Sequence, residues 1–108
     1  LCPEKRLVKA VPKAKFISGH SGLFEYKKVV SLLAGFDNVW VETSFQSPEK
    51  GRVLVDAFGV DKVLFGSDWP YGNRLPALTI MKEACQGDAE LEKKIFHKNA
   101  VELMKFGL

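Results

Sequence analysis

Val63-Leu64-Phe65-Gly66-Ser67-Asp68-Trp69-Pro70 is a short apolar run that ends abruptly in small and polar residues. Three bulky apolar side chains after Lys62 suit a buried strand, and Gly66 closes it. Ser67 and Asp68 can hydrogen-bond their own backbone, and Pro70 cannot continue a sheet ladder, so a long turn from Asp68 to Asn73 follows. The stretch is therefore a strand that delivers a carboxylate at its carboxyl end. In parallel α/β folds ligands sit beyond the carboxyl ends of the strands, which makes Asp68 a candidate for chemistry rather than for packing.

The same pattern occurs twice upstream. Lys15-Phe16-Ile17-Ser18-Gly19-His20 and Asn38-Val39-Trp40-Val41-Glu42-Thr43 are short runs of β-branched or aromatic residues that end in small or polar ones. Between the first two strands Leu23, Phe24, Val29, Val30, Leu32 and Leu33 recur near helical spacing, with Ala34-Gly35 as the stop. Between the second and third, Ser47-Pro48-Glu49 has the order of a helix start and Gly59 that of a helix stop. Val53, Leu54, Ala57 and Phe58 give that helix one apolar face. A further helix is expected around Leu75 to Cys85, broken at Gly87-Asp88. The last helix carries Leu91, Ile95, Phe96, Ala100, Leu103 and Met104 on a broad apolar side, and Asn99 on its inward side can tie it to a loop. Glu4 to Val11 is the tail of a helix stopped by Pro12.

Strands alternating with amphipathic helices are the signal of βαβ units and a parallel sheet. The strand starts near residues 15, 38 and 62 recur at an almost even interval. That interval is a little under the roughly 30 residues per unit of an eight-unit barrel. The competing open-sheet architecture lacks its glycine-rich phosphate loop, since no Gly-x-Gly-x-x-Gly follows any strand. The fold class expected is α/β: the C-terminal part of a (β/α)8 TIM barrel, with three parallel strands and flanking helices over residues 1–108.

Composition limits the function classes. The 108 residues are 46% hydrophobic and carry a formal charge of +3 from scattered lysines. No Arg-aromatic interleaving follows, so nucleic acid is not an expected partner. No apolar run approaches the roughly 20 residues that span a bilayer, so no membrane association is expected and a cytoplasmic location is the default. Cys2 and Cys85 are isolated, which argues against a disulfide framework or a structural zinc site.

His20 and Asp68 end the first and third strands and so project toward one rim of a parallel sheet. An imidazole and a carboxylate converging there can bind a divalent metal and handle a proton. Each also has a plainer reading, as a hydrogen-bonded strand-end histidine and as a turn aspartate. His97, between Lys94 and Lys98, is expected to be a solvated surface residue. Glu42 can face either side of its strand. Trp69, Tyr71 and Arg74 either line a substrate pocket or fix the loop.

Four landmarks in order, Ile17-Ser18-Gly19-His20-Ser21-Gly22, Asn38-Val39-Trp40-Val41-Glu42-Thr43-Ser44, Val63 to Pro70, and Ile95-Phe96-His97-Lys98-Asn99-Ala100, resemble the amidohydrolase-related family of metal-dependent hydrolases. The resemblance implies a metal-dependent (β/α)8 barrel whose sixth, seventh and eighth strands lie in this chain. It makes His20 the sixth-strand histidine, which binds a metal or polarises the substrate, and Asp68 the eighth-strand aspartate, which contacts the metal and moves a proton. Zinc is the expected ion in the complete barrel. The family's first-strand His-x-His pair and fifth-strand histidine have no counterparts in this sequence, which opens on Leu1 in the manner of a piece of a longer protein. Two ligands fall short of the three or so protein groups of a catalytic zinc site. The implied activity is hydrolysis of a small carboxylate, lactone or amide, or decarboxylation of an aromatic or related acid. The alternative is a fragment without activity of its own that self-associates or pairs with a complementary half-barrel, because a three-stranded slice leaves strand edges open.

Overall fold

Three short parallel strands form one sheet in the order β1-β2-β3, with β1 Phe16–Ser18, β2 Val39–Glu42 and β3 Val63–Leu64. The structure, a computed structural model, describes residues 3–19 and 26–105. Around the sheet lie α1 Pro3–Ala10, α2 Tyr26–Leu33, α3 Pro48–Phe58, α4 Arg74–Cys85, α5 Ala89–Lys93 and α6 Asn99–Leu103, with a π-helical turn Lys94–Lys98 joining the last two. The expected parallel sheet with flanking helices is what the chain forms.

Strand pairing sets the two faces. Phe16 lies beside Val39 and Ser18 beside Val41, while Val41 lies beside Val63. Val39, Val41 and Val63 are sealed from solvent and share a core with Leu54, Val55 and Phe58 of α3 and Met81 and Cys85 of α4. This is the helix-covered face. Because side chains alternate along a strand, Ile17, Trp40, Glu42 and Leu64 lie on the other face, which is the barrel-interior side. Ile17 is 53% exposed there.

The helix boundaries follow local chemistry. Ser47 Oγ accepts the Lys50 N–H at 3.2 Å with Pro48 in the first turn, and Gly59 at φ 93° ends α3. Asn73 caps α4 by accepting the Leu75 N–H at 3.1 Å. That helix stops at Gln86, in the left-handed region at φ 53°, one residue before the expected Gly87 break. Gly51 is where α3 and α4 approach: a Cβ there would stand 3.0 Å from Met81 Sδ and 3.3 Å from Ala84 Cβ.

Two expected apolar faces need correction. In α3 the buried residues are Gly51, Leu54, Val55 and Phe58, whereas Val53 is 40% exposed. Two nearby β-branched valines satisfy the same spacing, and only the position of α4 decides between them. In the last helical segment Ala100 is exposed and Met104 is 62% exposed. The buried line is instead Leu91, Ile95, Asn99 and Leu103, at every fourth residue. In a regular α-helix such a line drifts by about 40° per step, and the π turn, with its wider hydrogen-bonded ring, offsets the drift.

This line also occupies the edge of β3 that faces away from β2. Lys62 and Leu64 give their carbonyls to Val41 and Thr43 of β2. The alternation of a parallel ladder therefore aims the Val63 carbonyl and Phe65 N–H outward. The Phe65 N–H donates to the Ile95 carbonyl at 3.1 Å. Asn99 Nδ2 donates to the carbonyls of Val63 at 2.9 Å and Val60 at 2.7 Å. The expected tie from Asn99 to a loop is present, and it extends to the strand, so this edge is not open as anticipated. Among the described residues, β1 pairs with β2 alone.

Asn99→Ala would leave the buried Val63 carbonyl and the part-buried Val60 carbonyl without their donor and is expected to cost about 2 kcal/mol, read as a lower urea midpoint with an unchanged slope. Cys85, free and buried, supplies a pH signature. Burial first, then the nearby Glu92 and Asp88 carboxylates, hold its thiol above the ordinary 9.0, with Arg52 opposing them. A raised folded-state value means the stabilisation is full below the unfolded-state value and is lost as pH rises through the folded one. Stability should decline above about pH 9, and Cys85→Ala should flatten that decline in denaturant titrations at successive pH values.

Candidate active-site rim

Asp68 stands four residues past the end of β3, on the carboxyl side of the sheet. It is exposed, and its backbone takes the left-handed conformation at φ 55°. Asp and Asn tolerate that region better than other side chains with a Cβ. The Asp68 carbonyl accepts the Gly72 N–H at 2.8 Å, and Ser67 Oγ accepts the Trp69 N–H at 3.4 Å. Gly72 is required by close approach: a Cβ there would run into the Ser67 carbonyl. The turn carrying Asp68 is thus closed on itself by backbone contacts.

His20, the other residue singled out by sequence, lies outside the described residues, as does Cys2. The order β1-β2-β3 places the strand ends that precede His20 and Asp68 on the same rim, on either side of β2.

Glu42 resolves its open phase by lying on the interior face at the carboxyl end of β2. Its Oε1 accepts the Ser44 N–H at 2.5 Å. Its side chain also rests against the Gly66 backbone, where a Cβ would fall 2.6 Å from Glu42 Cδ and 2.9 Å from Cγ. The Gly66 N–H in turn reaches Thr43 Oγ1 at 3.4 Å. Composition and spacing lend Glu42 no weight. The usable signal is the glycine: a Gly inside an apolar β run marks a close approach of another group.

Beyond Asp68, Trp69, Pro70, Tyr71, Gly72, Asn73 and Arg74 border a shallow depression of about 310 Å³. Trp69 is 69% and Tyr71 87% exposed, so neither ring anchors the loop in the core. The Trp69–Pro70 peptide is cis. His97 is exposed on the π turn beside Lys94 and Lys98, as expected of a surface residue.

The described residues do not make up a metal site. Among them no three His, Cys, Asp or Glu side chains converge, and a catalytic zinc needs about three protein groups. Among the described residues no helix is long and apolar enough to cross a membrane.

The comparisons with known proteins identify the family and the fold. The chain belongs to the amidohydrolase family, which it matches over residues 4–106. Its fold is similar to that of an amidohydrolase 2 protein from Bifidobacterium longum subsp. infantis, at 20% identity and a TM-score of 0.65, covering 92% of this chain and 43% of that one. It is also similar to an amidohydrolase from Burkholderia multivorans solved with bound zinc, at 17% identity and a TM-score of 0.61, covering 91% of this chain and 49% of that one. The same Burkholderia protein solved with bound HEPES aligns at 16% identity and a TM-score of 0.60. The chain thus spans a little under half the length of these barrels. No curated protein matches it.

Proposed function

We propose that this chain supplies the sixth, seventh and eighth strands of a metal-dependent hydrolase, and with them part of its active-site rim. The observation that carries this reading is the placement of Asp68 on the carboxyl rim of a sheet whose family match runs nearly end to end. Asp68 is the proton-handling carboxylate: exposed on the rim, it can accept a proton on a carboxylate oxygen and return it to a leaving group. His20, outside the described residues, either binds the metal or orients and polarises the substrate carbonyl. The zinc-bound Burkholderia neighbour supports zinc as the ion. The described residues do not satisfy its ligand count, so the metal belongs to the complete barrel. The substrate class is a small carboxylate, lactone or amide, with decarboxylation of an aromatic acid as the variant that shares the same groups.

The test uses the full-length protein with dihydrocoumarin and γ-butyrolactone, followed by proton release, and with small amides, followed by ammonia release. Asp68→Asn is the substitution of choice, because Asn accepts the left-handed backbone and removes only the charge. Both Asp68→Asn and His20→Ala are expected to lower kcat by about 10²- to 10⁴-fold with the melting temperature little changed. Wild-type rates in both variants would overturn the assignment.

A second reading is favoured by the asymmetry of the sheet edges. Ile17 is half-exposed on the interior face, and Leu7, Val8, Phe16, Ile17, Leu33 and Val39 line an apolar groove along β1. We infer that the isolated 108-residue chain associates through β1 with a second copy or with the complementary half-barrel. Size-exclusion chromatography of the isolated chain should show oligomers that Ile17→Lys shifts toward monomer, since an inward charge blunts an edge strand. A folded wild-type monomer would refute this.

A further inference from the structure

Three observations meet at the carboxyl end of the middle strand. The Glu42 carboxylate folds back over the end of β2 to accept the Ser44 N–H at 2.5 Å. The Gly66 backbone lies so close to the same side chain that a Cβ would overlap it, standing 2.6 Å from Cδ and 2.9 Å from Cγ. The Thr43 N–H donates to the Leu64 carbonyl at 3.0 Å, and Thr43 Oγ1 accepts the Gly66 N–H at 3.4 Å. Thr43, just after β2, therefore bonds the segment leaving β3 by backbone and hydroxyl, and the Glu42 side chain packs against it.

What leaves β3 there is the turn that carries Asp68. Gly72 bonds the Asp68 carbonyl and packs on the Ser67 carbonyl, so the turn is tied to itself and joins β3 through Gly66. We propose that Glu42 is a positioning residue: its side chain is the seat on which Gly66 rests, and the seat fixes where the Asp68 carboxylate stands on the rim. This role rests on the catalytic reading of Asp68. It involves shape and hydrogen bonding and no proton transfer. A Cβ at 66 would meet the Glu42 side chain, its carboxylate oxygen first, so a larger residue there displaces the carboxylate.

The role makes shape and charge separable. In the full-length protein with dihydrocoumarin as the probe substrate, Glu42→Gln keeps the length and the acceptor oxygen and should hold kcat within about threefold of wild type. Glu42→Asp keeps the charge but shortens the reach, and should lower kcat about tenfold or more with a smaller change in KM, as a misplaced group does. Gly66→Ala should lower kcat by about 10- to 100-fold, and the Glu42→Ala/Gly66→Ala double variant should be no worse than about twofold below the poorer single one, because both remove one contact. The same non-additivity is expected in melting temperature, which needs no turnover. Multiplicative losses in the double variant, or Glu42→Gln falling as far as Glu42→Asp, would overturn the proposal. Asp68→Asn, assayed alongside, reports on the underlying reading separately: full activity there refutes the role of Asp68, while the coupling between Glu42 and Gly66 in melting temperature still stands or falls by itself.

Discussion

The pairing of Val41 with Val63 is the constraint from which the rim is built. Both side chains have no solvent exposure and both face the helices. A slip of one residue would turn β3 over and send Leu64 into the helix layer. With the register fixed, Glu42 must face the interior beside Leu64, Thr43 must bond the Leu64 carbonyl, and Gly66 must arrive against the Glu42 side chain. The position of Asp68 is thus a consequence of two valines on the opposite face of the sheet.

Much of this fold was legible because its signals are local. Ser47-Pro48-Glu49 and Asn73 specify helix starts through a single side-chain oxygen each, and the short apolar runs at 39–41 and 63–64 need no partner to be recognised. What stayed open in the sequence were choices made by tertiary contact. Val53 and Val55 satisfy helical spacing equally well, and only the approach of α4 at Gly51 buries Val55. The π turn at Lys94–Lys98 leaves no compositional mark. Its signature is the four-residue spacing of Leu91, Ile95, Asn99 and Leu103, which a broad apolar face that also contains Ala100 and Met104 conceals.

The rim divides in the same way. Asp68 could be found because a strand followed by Ser-Asp-Trp-Pro announces a carboxylate at a strand end. Its left-handed backbone at φ 55° could not, since Asp is only one of the residues that tolerate it. The face of Glu42 stayed open for a different reason. An acidic residue in a strand has two possible faces, and the face is decided by register with a neighbour 22 residues downstream, Leu64. The contact of the Glu42 side chain with the Gly66 backbone is a fact of three dimensions.

The two faces of the sheet differ in completeness, and that difference bears on where activity resides. On the helix side Val39, Val41 and Val63 are covered by the chain's own α3 and α4. This layer is self-sufficient, which explains how a chain spanning less than half of its structural relatives still specifies a core. On the interior side Ile17 stays half-exposed, because in a closed barrel those positions are filled by side chains from the opposite strands. Leu64, on the same face, is already buried. A carboxylate in open solvent gains little from its neighbours, since charges there are screened by water; enclosed among low-dielectric walls the same group acts on a substrate with far greater force. On the proposed reading of Asp68, closure of the barrel changes the medium around its carboxylate, while the contact between the Glu42 side chain and the Gly66 backbone is already formed within this chain.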